Sequence, residues 1–180
     1  MLRIVDITGP DINNGLGVRC TVWVAGCKHH CEGCHNAWTW KFDQGRDYTE
    51  KSEEILSQIR EWLDKEYVKG LTLSGGDPLT QTPAALEELL ELIKIVKEEY
   101  PDKDIWLYTG FTLKELEETK ISIYKDILNY VDYVVEGRFI LAKRDLSIAF
   151  RGSTNQRIMK KKETQSDDIK FSENFEEVDF

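Results

Sequence analysis

Few cations, few cysteines and no long apolar run mark this chain before any motif does. Lysine and arginine number 24 against 33 acids, a formal net charge of −9, and the pI is near 4.9. Such a surface repels a phosphate backbone, which argues against general nucleic-acid or anionic-membrane binding. No apolar stretch approaches the ~20 residues that span a bilayer. The opening MLRIVDITGPDINNG lacks the apolar stretch and small-residue cleavage site of a signal peptide, so a cytoplasmic location is expected. Four cysteines in a reducing compartment do not suggest a disulfide framework. There is no internal repeat.

What is present is ordinary for a globular protein, with 41% hydrophobic and 32% charged residues. A chain of 180 residues fits one domain and buries roughly 70% of the surface it exposes when unfolded. Its hydrophobic period switches between strand and helix. CTVWVAG (20–26) reads as a strand, Ile55, Ile59, Trp62 and Leu63 recur at helical spacing within 53–67, and LTLS (71–74) is the next strand. Thr82 is placed to cap a helix opened by Pro83, with Leu86, Leu89, Leu90, Ile93 and Val96 as its apolar stripe. IWLY (105–108) is a strand, and Thr112 with Glu115 has capping-box spacing. VDYVV (131–135) reads as a fourth strand and LSIAF (146–150) as a weaker fifth.

Alternating elements of this kind give an α/β protein with a mostly parallel sheet, and ligands of such sheets bind beyond the carboxyl ends of the strands. Four motifs fall there: the cysteine loop, SGGDP, YTGF and VEGRF. The division expected is a domain over 1–158 and a charged tail over 159–180. Within the tail, residues 160–180 hold four lysines and seven acids. That stretch reads as a solvated or frayed terminus, because ordering costs about 1–2 kcal/mol of backbone entropy per residue, with docking onto its own domain or a partner as the alternative.

CKHHCEGCHN (27–36) holds three cysteines and three histidines, and its residues alone leave two metals open. Structural zinc needs four closed ligands, with His29, His30, His35 or Cys20 completing Cys27, Cys31 and Cys34. His30 and His35 are cramped beside neighbouring cysteines, and only one C-x(2)-C pair is present. A 4Fe-4S cluster with three thiolates instead leaves one iron open for chemistry. NNGLGVR (13–19) lacks the Lys and Ser/Thr of a P-loop and precedes a strand, so nucleotide phosphate binding is rejected there. Cys20 reads as a buried small hydrophobe, and His29 and His30 as solvated loop residues.

C-x(3)-C-x(2)-C at the end of a first strand, followed by Gly-Gly-acid-Pro after the next, resembles the signature of radical S-adenosylmethionine (SAM) enzymes. NGLGVRC, GCKHHCEGCHN, LSGGDPL, DIWLYTGF, VEGRF and FRGSTNQRI occur in an order similar to that of the activases of anaerobic ribonucleotide reductase, a glycyl-radical-enzyme activase family. Together they cover about residues 5–158.

The resemblance implies an open partial (half) TIM-like barrel of parallel strands with outer helices, since a full barrel takes ~250 residues. It implies a 4Fe-4S cluster on Cys27, Cys31 and Cys34, with SAM cleaved reductively to methionine and a 5'-deoxyadenosyl radical that abstracts a glycine hydrogen. Gly75 and Gly76 would lie against the methionine end of SAM, with Asp77, in place of the commoner Glu, orienting their loop. Gly33, Cys34 and His35 are implied as SAM contacts. Thr109 and Gly110 stand at the same sheet face, and the amides of Asn155 and Gln156 are candidates for adenine or the substrate loop. Glu136 departs from the family's Asp and carries no assigned contact, while Arg138 is a candidate partner for a carboxylate. The implied partners are the anaerobic ribonucleoside-triphosphate reductase with its glycyl-radical subunit, and flavodoxin or ferredoxin as electron donor. The alternatives are an activase of another glycyl radical enzyme, such as pyruvate formate-lyase, a small radical SAM enzyme with a small-molecule substrate, or a noncatalytic zinc-binding interaction module.

Overall fold

The computed structural model describes residues 1–168 and 170–180. Among them runs one eight-stranded sheet. Its strands are β1 (Arg3–Asp11), β2 (Val18–Val24), β3 (Arg46–Asp47), β4 (Val68–Gly75), β5 (Asp104–Thr109), β6 (Tyr133–Glu136), β7 (Arg157–Lys161) and β8 (Phe175–Val178). In space they follow the order β3-β1-β2-β4-β5-β6-β7-β8. The four central strands β2, β4, β5 and β6 are parallel, and both edges are antiparallel. The fold is therefore mixed α/β with a parallel centre.

Burial explains the centre. Residues of β2 and β4 are inaccessible on both faces, as expected of strands covered on both sides. One face carries the main core, built from Val22, Leu71, Leu73, Ile105 and Leu107 against the helices; a smaller cluster around Trp106, Val135 and Ile158 occupies the other.

The helices are α1 (Tyr48–Leu63), α2 (Pro83–Glu99), α3 (Leu113–Glu118) and α4 (Ser122–Leu128). α1 begins earlier than its apolar period suggests, because the Asp47 carboxylate accepts from the Thr49 N–H at 3.0 Å and caps it. α2 has the expected Thr82 cap and Pro83 start, and all five stripe residues are buried. α3 has the full capping box, with Glu115 N donating to Thr112 Oγ1 at 3.1 Å and Thr112 N donating to Glu115 Oε2 at 2.8 Å. No helix among the described residues is long and apolar enough to cross a membrane.

Two expectations are corrected. LSIAF forms no strand: Leu146 is 72% exposed and Phe150 has φ +60°, so the segment leaves the extended conformation and joins no ladder, and only its end packs, with the Phe150 ring edge-on to Trp106. The sheet is continued instead by β7, which runs across residue 158. The second correction concerns the charged segment 160–180, of which residue 169 lies outside the described residues. Its last part, 171–178, is docked, while 163–165, 167–168 and 170 are exposed. β8 pairs with β7, Phe175 is buried, and Ser172 donates from its N and Oγ to Glu117 at 3.0 and 2.9 Å. The scattered aromatics supply the apolar contact that offsets the entropy of ordering.

Candidate metal and cofactor site

The cysteine loop leaves the end of β2 and folds back on itself. Gly26 N donates to Thr39 O at 2.8 Å and Cys27 N to Trp40 O at 3.1 Å, while Cys34 N closes a turn onto Cys31 O at 3.1 Å. The turn between Cys31 and Cys34 uses Gly33 at φ +73°, a conformation that glycine adopts without a Cβ penalty.

The Gly-Gly loop at the end of β4 is pressed against it. Gly76 N donates to Val24 O at 2.8 Å and Asp77 N to Gly26 O at 2.9 Å. Gly75 has φ +106°, and a Cβ there would stand 2.6 Å from Val24 N; one on Gly76 would run into the Gly26 carbonyl. Both glycines are thus required by the approach of one backbone to another.

Asp77, 1% exposed, is the hub of the site. Its Oδ1 accepts from Leu79 N at 2.8 Å. Its Oδ2 accepts from Gly110 N at 2.8 Å and Thr109 Oγ1 at 3.0 Å, and lies 2.8 Å from His29 Nε2. Arg138 Nε donates to His29 Nδ1 at 3.2 Å, and an arginine can only donate, so Nδ1 accepts and the proton sits on Nε2, facing Asp77. Arg138 also pairs with Glu115 at 3.1 Å.

His29 is therefore no solvated loop residue. Its side chain is 6% exposed, its ring stands edge-on to Phe111 at 4.7 Å, and a Cβ on Gly110 would collide with it. His30, by contrast, is exposed and stacks on Trp40 at 4.8 Å.

These loops enclose a cavity of about 480 Å³. Cys27, Cys31, Cys34, His35, Gly75, Gly76, Asp77 and Thr109 all line it. Gly33 and Asn155 do not. Gly33 faces Leu141, and Asn155 Nδ2 donates to Arg138 O at 2.8 Å while its buried Oδ1 has no partner among the described residues. Gln156 lines the cavity but spends its amide on Gly152 N at 2.8 Å and Gly137 O at 2.9 Å, holding the two loops together. Glu136 is buried, accepts from Leu113 N at 2.6 Å and pairs with Arg157.

Sequence reading missed the aromatic walls Trp23, Trp40, Tyr108 and Phe150, and Arg151. The position of Trp40 just past the cysteines and of Tyr108 at the carboxyl end of β5 were the available signals. It also missed Arg19, fully buried near the amino end of β2 and outside the cavity lining, which donates from Nε to Thr72 Oγ1 at 2.6 Å and from Nη2 to Asp104 Oδ1 at 2.5 Å.

Burial pushes the Cys27 thiol up to about 11 and raises Cys31 in the same direction. A thiolate here is costly until a cation neutralises it, as metal ligation does. Cys20, fully buried in β2, belongs to the core. The cavity thus offers three soft thiols and not four, a donor set suited to an iron-sulfur cluster with one uncapped corner. Among the described residues no three His, Cys, Asp or Glu side chains stand grouped as for a single metal ion.

A family model described as a 4Fe-4S single cluster domain matches residues 13–159. A Vibrio cholerae protein is 44% identical over 147 residues, covering 81% of this chain and 90% of that one. A Pasteurella multocida protein is 46% identical, covering 81% and 89%, and an Escherichia coli K12 protein 37%, covering 81% and 90%. All three are named anaerobic ribonucleoside-triphosphate reductase-activating protein. With three thiols lining one cavity and relatives matched over most of both lengths, the chain belongs to the anaerobic ribonucleoside-triphosphate reductase-activating protein family.

Proposed function

We propose that this chain generates the glycyl radical of an anaerobic ribonucleoside-triphosphate reductase, with a 4Fe-4S cluster on Cys27, Cys31 and Cys34 and SAM bound beside it. When bound, the two cofactors together supply reductive cleavage of SAM to methionine and a 5'-deoxyadenosyl radical that takes a hydrogen atom from a glycine of the reductase. The observation that carries the reading is the meeting of three cysteines with the Gly75–Asp77 loop on one cavity.

The chain's own residues bind, orient and shield. The three thiols hold the cluster. The Gly75–Gly76 backbone forms a wall without side chains that would take the methionine end of SAM, and Asp77 fixes that wall through four donors. His35 and Thr109 flank the cavity as further SAM contacts. Gly33 and Asn155 contribute by turn geometry and by holding Arg138, at one remove from the ligand. Trp23, Trp40, Tyr108 and Phe150 exclude water from a reactive centre.

The fold behind this reading is an open half-barrel. Supporting it, Cys27 follows β2, Gly76 follows β4, Thr109 ends β5 and Gly137 follows β6, so the cavity sits at the carboxyl ends of the four parallel strands. An open side admits a loop from a large partner. A flavodoxin or ferredoxin is the proposed electron donor, the location is cytoplasmic, and the net charge of −9 keeps nucleic acid and membrane out of the scheme.

The test is anaerobic reconstitution with iron, sulfide, SAM and a low-potential reductant. 5'-Deoxyadenosine is expected from the chain alone, and a glycyl-radical EPR signal once the reductase is added. Turnover of SAM without any radical on the reductase would overturn the assignment of the partner.

A further inference from the structure

Residues 160–180 lie past the stretch matched as a cluster domain, yet they finish the sheet. Val178 of β8 stands opposite Ile158 of β7. Beyond β8 the chain end turns onto the smaller core. The Phe180 ring lies 6.0 Å from Phe150, 6.2 Å from Trp106 and 6.4 Å from Tyr133, and Asp179 forms an ion pair with Arg151.

Phe150 and Arg151 are walls of the cavity. Their segment belongs to no strand, and Phe150 is at φ +60°. Apart from the tail it is tied by Tyr108 Oη donating to Phe150 O at 2.9 Å, by the Phe150 ring edge-on to Trp106 at 5.4 Å, and at its ends by Asp145 N donating to Gly152 O at 3.1 Å and Gly152 N to Gln156 Oε1 at 2.8 Å. Among the described residues the Arg151 guanidinium itself has only Ala149 O at 3.2 Å besides Asp179. The Arg151 side chain is nevertheless 10% exposed, with the Asp179 carboxylate as its charged partner. The neighbouring Gly152 abuts the Phe139 ring, where a Cβ would come within 2.9 Å, and Phe139 in turn lies 5.5 Å from His35 of the cysteine loop. The tail itself makes neither of these contacts; they join the wall to the cysteine loop through Gly152 and Phe139 alone.

We infer that Asp179 and Phe180 are positioning residues that clamp the Phe150–Arg151 wall for the incoming loop of the protein substrate. The inference rests on the activation reading above. The tail touches neither the cysteines nor the Gly-Gly loop in any aromatic, ion-pair or hydrogen-bond contact among the described residues. It acts on the side of the cavity where Leu146, 72% exposed, also stands. Loss of the clamp loosens that wall and leaves the SAM side in place.

The experiment compares the full chain with a chain ending at Val178, which keeps β8, and with Asp179→Asn, Phe180→Leu and the ring-retaining Phe180→Tyr. Tryptic cleavage after Arg144 and Arg151 is timed by mass spectrometry, SAM affinity is measured by equilibrium dialysis, and KM is measured for the reductase. Truncation is expected to speed cleavage at both sites about tenfold, as a low-stability segment loses its aromatic and ionic ties. KM for the reductase should rise several-fold with SAM affinity within about twofold, and Phe180→Tyr should stay near the parent. Unchanged cleavage, or a loss of SAM affinity equal to the rise in KM, would overturn the clamp. Should truncation prevent folding, Asp179→Asn and Phe180→Leu carry the same comparison. If the full chain forms no radical on the reductase, the activation reading fails, and cleavage still decides whether the tail holds the wall.

Discussion

His29 Nε2 lies 2.8 Å from Asp77 Oδ2, joining two residues 48 positions apart and fastening the cysteine loop to the Gly-Gly loop. Both partners are nearly inaccessible, at 6% and 1%. The contact ties the position of the cysteine loop to β4 and β5. It is the structural reason that C-x-His-x-C, rather than any C-x(3)-C, suits this chain.

His29→Ala removes one of four donors to a buried carboxylate, and the expected loss is about 1–3 kcal/mol of stability. Iron incorporation after anaerobic reconstitution should fall along with the melting temperature. His29→Gln, which keeps a donor, should recover part of both. Equal iron content in all three proteins would show that the loop is held by other means.

Gly76→Ala directs a methyl group at the Gly26 carbonyl, and Gly75→Ala imposes φ +106° on a residue with a Cβ. Neither neighbour is a flexible side chain. Each substitution should cost about 1–3 kcal/mol and part the two loops, read as lower melting temperature and weaker SAM affinity. Gly152→Ala, whose nearest neighbour is the Phe139 ring, is expected to be milder.

The metal-free protein should weaken in alkali. Burial raises the Cys27 thiol to about 11 and the Cys20 thiol to about 12, from 9.0 in each case. Below pH 9 both thiols are protonated folded and unfolded, and their contribution is intact. As pH rises from 9 through the folded values, the unfolded chain loses protons that the folded chain retains, so stability falls. Urea unfolding of the metal-free protein at pH 7 and pH 10 measures this. Cys20→Ala should flatten part of the decline, and no change between the two pH values would contradict the burial of these thiols.

Arg19→Met leaves the Asp104 carboxylate without its 2.5 Å partner and Thr72 without a donor. Burial raises the Asp104 carboxyl while Arg19 lowers it, so the carboxyl should protonate more readily in the variant. The Asp104 side chain is 34% exposed and water screens the charge left behind, so a loss of about 1–3 kcal/mol is expected, read by denaturant titration. Because Arg19 also lies 5.5 Å from the Trp106 ring, near-native stability would mean that the cluster repacks without it.

Local chemistry was the most legible part of the sequence. Thr82-Pro83 and Thr112 with Glu115 act within four residues, so their caps could be read directly, as could the parallel strands with continuous apolar runs. β1 was not recognised because RIVDITGPD breaks its alternation with Asp6 and Gly9-Pro10. LSIAF misled because apolar alternation promises a strand only where a partner strand is free. The charged tail was misread because three phenylalanines spread over ten residues show no period, although Phe175 is buried in the main core and Phe180, 51% exposed, lies against Trp106. At the site the cysteines and Gly-Gly-Asp were legible as motifs. His29, Arg19 and Arg151 were not, since each depends on a partner 28 to 85 positions away.

The central claim is that three cysteines hold a 4Fe-4S cluster with a corner left for SAM. It is tested most directly by metal and sulfide analysis of the anaerobically reconstituted protein together with EPR of the reduced cluster with and without SAM. About four irons and four sulfides per chain are expected, with a spectrum that changes on adding SAM and is lost in Cys27→Ala, Cys31→Ala and Cys34→Ala. Zinc in place of iron, or a reduced cluster whose spectrum ignores SAM, would contradict the account.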